Sequence, residues 1–104
     1  MKEVTVQELK KLVDDKANIQ IIDVREEYEY EQANMGAEHI PMGNILAESD
    51  KISRSKQVII HCRSGARSAS VINALEKQFG FENLYNLKGG IIAWANEIDN
   101  TLQP

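Results

Sequence analysis

Gln57-Val58-Ile59-Ile60-His61-Cys62-Arg63-Ser64-Gly65-Ala66-Arg67-Ser68 is the stretch that decides the fold. Val58, Ile59 and Ile60 in a row read as a strand buried on both faces, as in a parallel sheet. Residues 62–67 are small or basic and read as a loop. From about Ala66 the apolar positions Val71, Ile72, Leu75 and Phe79 fall on one helical face. Gly80 stands where a helix C-terminal glycine belongs. Strand, short loop and helix form the repeating unit of an α/β sheet, whose ligands bind at the carboxyl ends of the strands. Cys62 falls at such an end.

The flanking sequence repeats the alternation. Thr5-Val6-Gln7-Glu8 has the spacing of a capping box, and Leu9, Leu12 and Val13 follow at helical intervals, so residues 6–15 predict a helix. Residues 19–24 are apolar and β-branched and predict a buried strand, with Asp23 near its end. Residues 26–32 are polar and predict a short surface helix. Residues 33–47, with Gly36, Pro41 and Gly43, read as loop, short strand and loop. Residues 84–87 predict another strand, broken by Gly89-Gly90, and Ile91, Ile92, Trp94, Ala95 and Ile98 make a last helix. Together these predict one α/β domain around a mostly parallel sheet.

Composition narrows the function. The chain has 104 residues, 42% hydrophobic and 27% charged, the profile of one ordered domain. A net charge of −4 argues against nucleic-acid binding, which needs a basic surface. A single cysteine excludes an internal disulfide, a C-x-x-C redox pair and a thiolate-rich zinc site. Charges at Lys2, Glu3, Glu8, Lys10 and Lys11 interrupt residues 1–24, so no signal peptide is expected there, and no transmembrane run is seen. The expected location is the reducing cytoplasm, where a lone thiol stays free.

The loop chemistry favours negative charge at that thiol. Gly65 admits backbone conformations closed to other residues, and Ser64 and Ala66 are small enough to let amides close in. The following helix aims unsatisfied N–H groups at the same point. Arg63 and Arg67 add two cations. Lowering a thiol's pKa raises the thiolate population but lowers its nucleophilicity, and the two effects largely offset. The loop's larger task is then to hold an anionic persulfide, Cys62–S–S⁻. The bland alternative is a cysteine packed as a small hydrophobe. Two arginines, a glycine and a serine in the next five residues argue against it.

Cys62-Arg63-Ser64-Gly65-Ala66-Arg67-Ser68 resembles the active-site loop of the rhodanese family, C-R-x-G-x-R-S. Ile22-Asp23-Val24-Arg25-Glu26 with Tyr28 and Glu29, then His39-Ile40-Pro41, resembles its D-V-R-E segment. Leu87-Lys88-Gly89-Gly90 with Trp94 resembles its C-terminal L-x-G-G-x-x-x-W. The resemblance implies a single rhodanese-like domain over residues 1–104, with about five short strands and helices on both faces. It implies that Cys62 is the nucleophile and that residues 63–67 supply an amide cradle, continued by Ser68. Arg63 and Arg67 would orient an anionic donor such as thiosulfate, and sulfur would pass to cyanide or a thiol. No metal or organic cofactor is implied. The expected partners are a small anionic sulfur donor and a thiol or protein acceptor, with no nucleic acid or membrane, and the chain is expected to be a monomer.

Where many members read G-H-I-x-G-A, this chain reads Gly36-Ala37-Glu38-His39-Ile40-Pro41. That variant is similar to rhodanese domains appended to ubiquitin-activating-like enzymes, which feed sulfur into cofactor biosynthesis. It takes weight from thiosulfate as the physiological donor and raises a second reading, a partner-dependent persulfide carrier. A cysteine-dependent phosphatase or arsenate reductase is a third. Related phosphatases use C-x5-R, however, and the shorter C-x4-R here suits a single sulfur atom.

Other polar residues have structural expectations. Asp23 and Arg25, two apart at a strand end, suit an ion pair bracing the loop from behind. His61 alternates with Cys62 and should face away from it, as a core residue. His39 is expected to be structural. Glu26, Glu27, Glu29 and Glu31 suit a solvated helix face, and Trp94 and the Ile91/Ile92 pair suit the core. Tyr28 and Tyr30 carry no assignment from sequence.

Overall fold

The computed structural model describes residues Met1–Pro104. Its elements run β1 (Glu3–Val4), α1 (Val6–Asp14), β2 (Ile19–Asp23), α2 (Glu27–Gln32), β3 (Glu38–His39), β4 (Gln57–His61), α3 (Ala66–Phe79), β5 (Leu84–Leu87) and α4 (Gly90–Glu97). Two short 3-10 turns, Met42–Asn44 and Ser49–Lys51, lie between β3 and β4. The sheet has the order β1-β5-β4-β2-β3, and every neighbouring pair is parallel. The expected mostly parallel sheet is thus wholly parallel. The chain-start strand β1 is too short to carry a periodic signal.

Side-chain alternation along β4 divides the core. Val58, Ile60 and Cys62 pack with Val71, Ile72 and Leu75 of α3 on one face. Ile59 packs with Val6 and Leu9 of α1 and Trp94 of α4 on the other. Helices therefore cover both faces. The Thr5–Glu8 capping box forms and starts α1. No helix is long and apolar enough to cross a membrane.

Two sequence expectations change. Phe79 was expected on the buried face of α3 but is 39% exposed. Gly80 ends the helix in a left-handed conformation, and Phe81 enters the core instead, with the Arg54 guanidinium 3.7 Å from its ring centre. Ile19, Gln20 and Ile21 of β2 are only half-buried. They line a concavity of about 480 Å³ with Glu38, Lys51 and Lys56, at the end of the strands away from Cys62.

Candidate active site

Cys62 follows the central strand β4, flanked by β2 and β5. In register, His61 lies beside Asp23 and Ile60 beside Asn86. The cysteine is 1% exposed and belongs to the apolar cluster under α3. Its sulfur is nevertheless surrounded by donors. The Gly65 amide donates to Sγ at 3.1 Å and the Ser68 amide at 3.4 Å, while the Ser68 hydroxyl lies 3.4 Å away. Gly65 holds φ +112°, which turns its amide inward.

Burial is the largest influence on the thiol and pushes its pKa up. Hydrogen bonds from the Ser68 hydroxyl and the Ser68, Gly65 and Ser64 amides outweigh it and hold the thiol below its ordinary value. The amide cradle expected over residues 63–67 thus centres on Ser64, Gly65 and Ser68. Ala66, exposed, opens α3.

The two loop arginines differ. Arg63 is exposed and lines a cleft of about 310 Å³ with Arg25, Tyr28, Glu29, Gln32 and Pro104. Arg67 is not a free cation: its guanidinium forks onto Glu29 at 2.7 and 2.9 Å. Glu29 accordingly does not belong to a solvated helix face. Its side chain is 14% exposed, and the hydrogen bonds from Arg67 hold its carboxyl down at about 2. Arg67 is raised in turn, chiefly by Glu29 and in smaller part by the negative charge of Cys62.

Behind the loop, Arg25 forks onto Asp23 with contacts of 2.8 to 3.1 Å, and both residues are buried. Arg25 also donates to the Ala33 carbonyl at 2.8 Å, tying β2 to the end of α2. His61 is fully buried, facing away from Cys62 as alternation requires. Its Nε2 has no hydrogen-bond partner and lies 3.6 Å from Asp23. Burial pushes its pKa down, so the ring is neutral, and Nδ1 lies 3.1 Å from the Cys62 carbonyl, which fits a proton on Nδ1.

His39 is structural: its Nε2 meets the Arg25 carbonyl at 2.7 Å, and its ring stacks on Tyr30 at 4.5 Å. Tyr30 donates to the Ala37 carbonyl, whereas Tyr28 is exposed.

Two contributors lie outside the loop. The Ile91 and Ile92 amides, opening α4, donate to the Cys62 and Arg63 carbonyls at 3.0 and 3.1 Å. Asn86 of β5 accepts from the Ser68 hydroxyl at 2.5 Å and donates to the Gly65 carbonyl at 3.1 Å. The sequence signal for Asn86 was a lone amide inside the apolar run of residues 84–87.

The rhodanese-like domain family model matches residues 5–97, with the Cys62 loop inside it. This chain belongs to the rhodanese-like domain family. A sulfurtransferase of Allochromatium vinosum is 35% identical over 94 residues, covering 89% of this chain and 87% of that protein. YrkF of Bacillus subtilis, whose name provisionally describes a sulfur carrier, is 32% identical over 98 residues. This rhodanese-like chain spans about half of YrkF, 52%, while 93% of the chain is aligned. A rhodanese-like domain protein of Staphylococcus aureus has a crystal structure that superposes with a TM-score of 0.84 at 32% identity, covering 99% of this chain and 97% of that one.

Proposed function

We propose that the protein is a sulfurtransferase that carries sulfane sulfur as a persulfide on Cys62. One observation carries this reading: a buried sulfur whose amide and hydroxyl donors outweigh the cost of burial and favour its anionic form. Family membership and relatives that transfer or carry sulfur support it. In the first half-reaction the Cys62 thiolate attacks the outer sulfur of a donor such as thiosulfate. The donor's S–S bond breaks and sulfite leaves with its electron pair. In the second, cyanide or a thiolate attacks the outer persulfide sulfur, and Cys62 leaves as thiolate. The sulfur is held covalently, so the reaction needs neither metal nor organic cofactor. Arg63 meets the anionic donor, and Asp23 with Arg25 braces the loop. The working unit is a cytoplasmic monomer.

A partner-dependent carrier is the second reading, favoured by the deep burial of Cys62 and by the engagement of Arg67 with Glu29, which leaves Arg63 as the loop's one unpaired cation. Both readings are tested by incubating the protein with thiosulfate, then recording intact mass and cyanide-dependent thiocyanate. The expected result is a gain of one sulfur that is absent in Cys62→Ser, followed by turnover. Sulfur gain with turnover only to a protein acceptor selects the carrier. No gain from thiosulfate or from a low-molecular-weight persulfide overturns both.

A further inference from the structure

Ser68 has one hydroxyl proton and three acceptors around it: the Gly65 carbonyl at 3.2 Å, Asn86 Oδ1 at 2.5 Å and Cys62 Sγ at 3.4 Å. The orientation of the Asn86 amide follows from its other end. The Gly65 carbonyl can only accept, so the group facing it at 3.1 Å is Nδ2, and Oδ1 faces Ser68. Oδ1 has no proton, so the short contact is satisfied by the Ser68 hydroxyl donating to Asn86. A Cys62 thiol can then donate to the Ser68 oxygen. A thiolate has no proton to donate, and Ser68 must turn to serve it.

We infer that Asn86 is a positioning residue for the sulfur, holding the Ser68 proton while Sγ is uncharged and ceding it when the thiolate forms. A hydrogen bond to a charged acceptor is roughly twice as strong as one to a neutral acceptor, so the thiolate captures the hydroxyl from the amide oxygen. The proton stays on Ser68 Oγ throughout; only the C–O torsion turns. Resting on the persulfide reading, the cycle then closes. In Cys62–S–S⁻ the inner sulfur is uncharged, the charge sits on the outer sulfur, and the hydroxyl returns to Asn86. The competing acceptor thus keeps the Cys62 thiolate from being over-stabilised, since a thiolate of lower pKa is the better leaving group but the poorer nucleophile.

The test is a pH titration of thiolate absorbance on the full chain with no sulfur donor present; the sole cysteine makes the signal unambiguous. Ser68→Ala removes the hydroxyl and lowers the thiolate-to-thiol ratio at fixed pH about tenfold. Asn86→Ala removes the competitor and raises that ratio about threefold, and in the Ser68→Ala background it changes nothing. The near-isosteric Asn86→Leu, which offers Ser68 no acceptor and leaves no cavity, serves if the alanine variant unfolds, and it raises the ratio with Ser68 present but not in the Ser68→Ala background. A merely structural Asn86 predicts a lowered ratio in Asn86→Ala, or the same factor in both backgrounds, and either result overturns the inference. Intact mass after thiosulfate, measured in parallel on the unmodified chain, reports the persulfide reading separately. A chain that gains no sulfur but shows the acidity pattern fails that reading alone.

Discussion

Replacing Gly90 by alanine strikes the site from behind. Gly90 opens α4 at φ +59°, and a Cβ there would stand 2.6 Å from the Arg63 carbonyl carbon and 2.7 Å from the Cys62 carbonyl oxygen, with the Arg63 oxygen closer still. All of these are backbone atoms of the sulfur loop and cannot swing aside as a side chain would. To admit the methyl group, α4 and the loop must separate, which breaks the Ile91–Cys62 and Ile92–Arg63 hydrogen bonds. The left-handed conformation costs about 1–2 kcal/mol for a residue with a side chain. Two lost hydrogen bonds add about 1 kcal/mol each. The sum is about 3–4 kcal/mol, a large part of the roughly 5–15 kcal/mol that stabilises a domain. At about 4–8 °C per kcal/mol, Gly90→Ala lowers Tm by about 12–30 °C in a circular-dichroism melt. Gly43→Ala is the control, because nothing lies within 4 Å of its added Cβ; its stability stays within about 0.5 kcal/mol. If Gly90→Ala melts within about 4 °C of the parent chain, the loop is not seated on α4 and the reasoning fails.

Two further substitutions separate the loop cations. Glu29→Gln loses about 1 kcal/mol at pH 7, a value discounted because the Arg67 side chain is 35% exposed. Glu29 has a folded-state pKa of about 2, below the ordinary 4.5, so its contribution is complete above 4.5 and is lost as pH falls through about 2. Urea titrations of the two chains should converge in that window, and a gap that persists below pH 2 contradicts the assignment. Arg63→Ala raises the KM for thiosulfate about tenfold and leaves stability within about 0.5 kcal/mol, because the side chain is exposed and unpaired. Steady-state thiocyanate formation checks it, and an unchanged KM removes Arg63 from donor binding.

The loop was legible in the sequence because its chemistry is local. The cysteine, the glycine that turns an amide inward and the serine that starts the second contact lie within seven consecutive residues, and the helix that follows was marked by its apolar spacing. Long-range partners were not legible. Glu29 reads as one acidic residue among several on a polar helix until the fold brings it to Arg67, 38 positions later. Asn86 reads as an interruption of an apolar strand until register puts β5 beside β4. Gly89-Gly90 was visible as a break between strand and helix. Its second use, admitting the loop backbone against α4, depends on a close approach that no local pattern encodes. Phe79 was misplaced for the same kind of reason: helical period puts it with the apolar face, but it is exposed at the helix end, and the left-handed turn at Gly80 carries Phe81 into the core instead.

The placement of Cys62 shows why the site suits one charged atom. Its side chain shares a face with Val58 and Ile60, so the sulfur sits where water is excluded and each donor acts through a low dielectric. Its carbonyl points the other way and is held by the Ile91 amide, with His61 Nδ1 also within reach. The peptide is thus clamped from behind while its side chain is solvated by protein from the front. The donors converge on a single point at 3.1 to 3.4 Å. A phosphoryl group presents several anionic oxygens spread over a tetrahedron and needs donors spread likewise. Arg67, which could have bound such a group bidentately, is already forked onto Glu29. What remains is a set of donors converging on Sγ, with Arg63 exposed in the same loop. That arrangement stabilises the Cys62 thiolate and disfavours a phosphorylated cysteine.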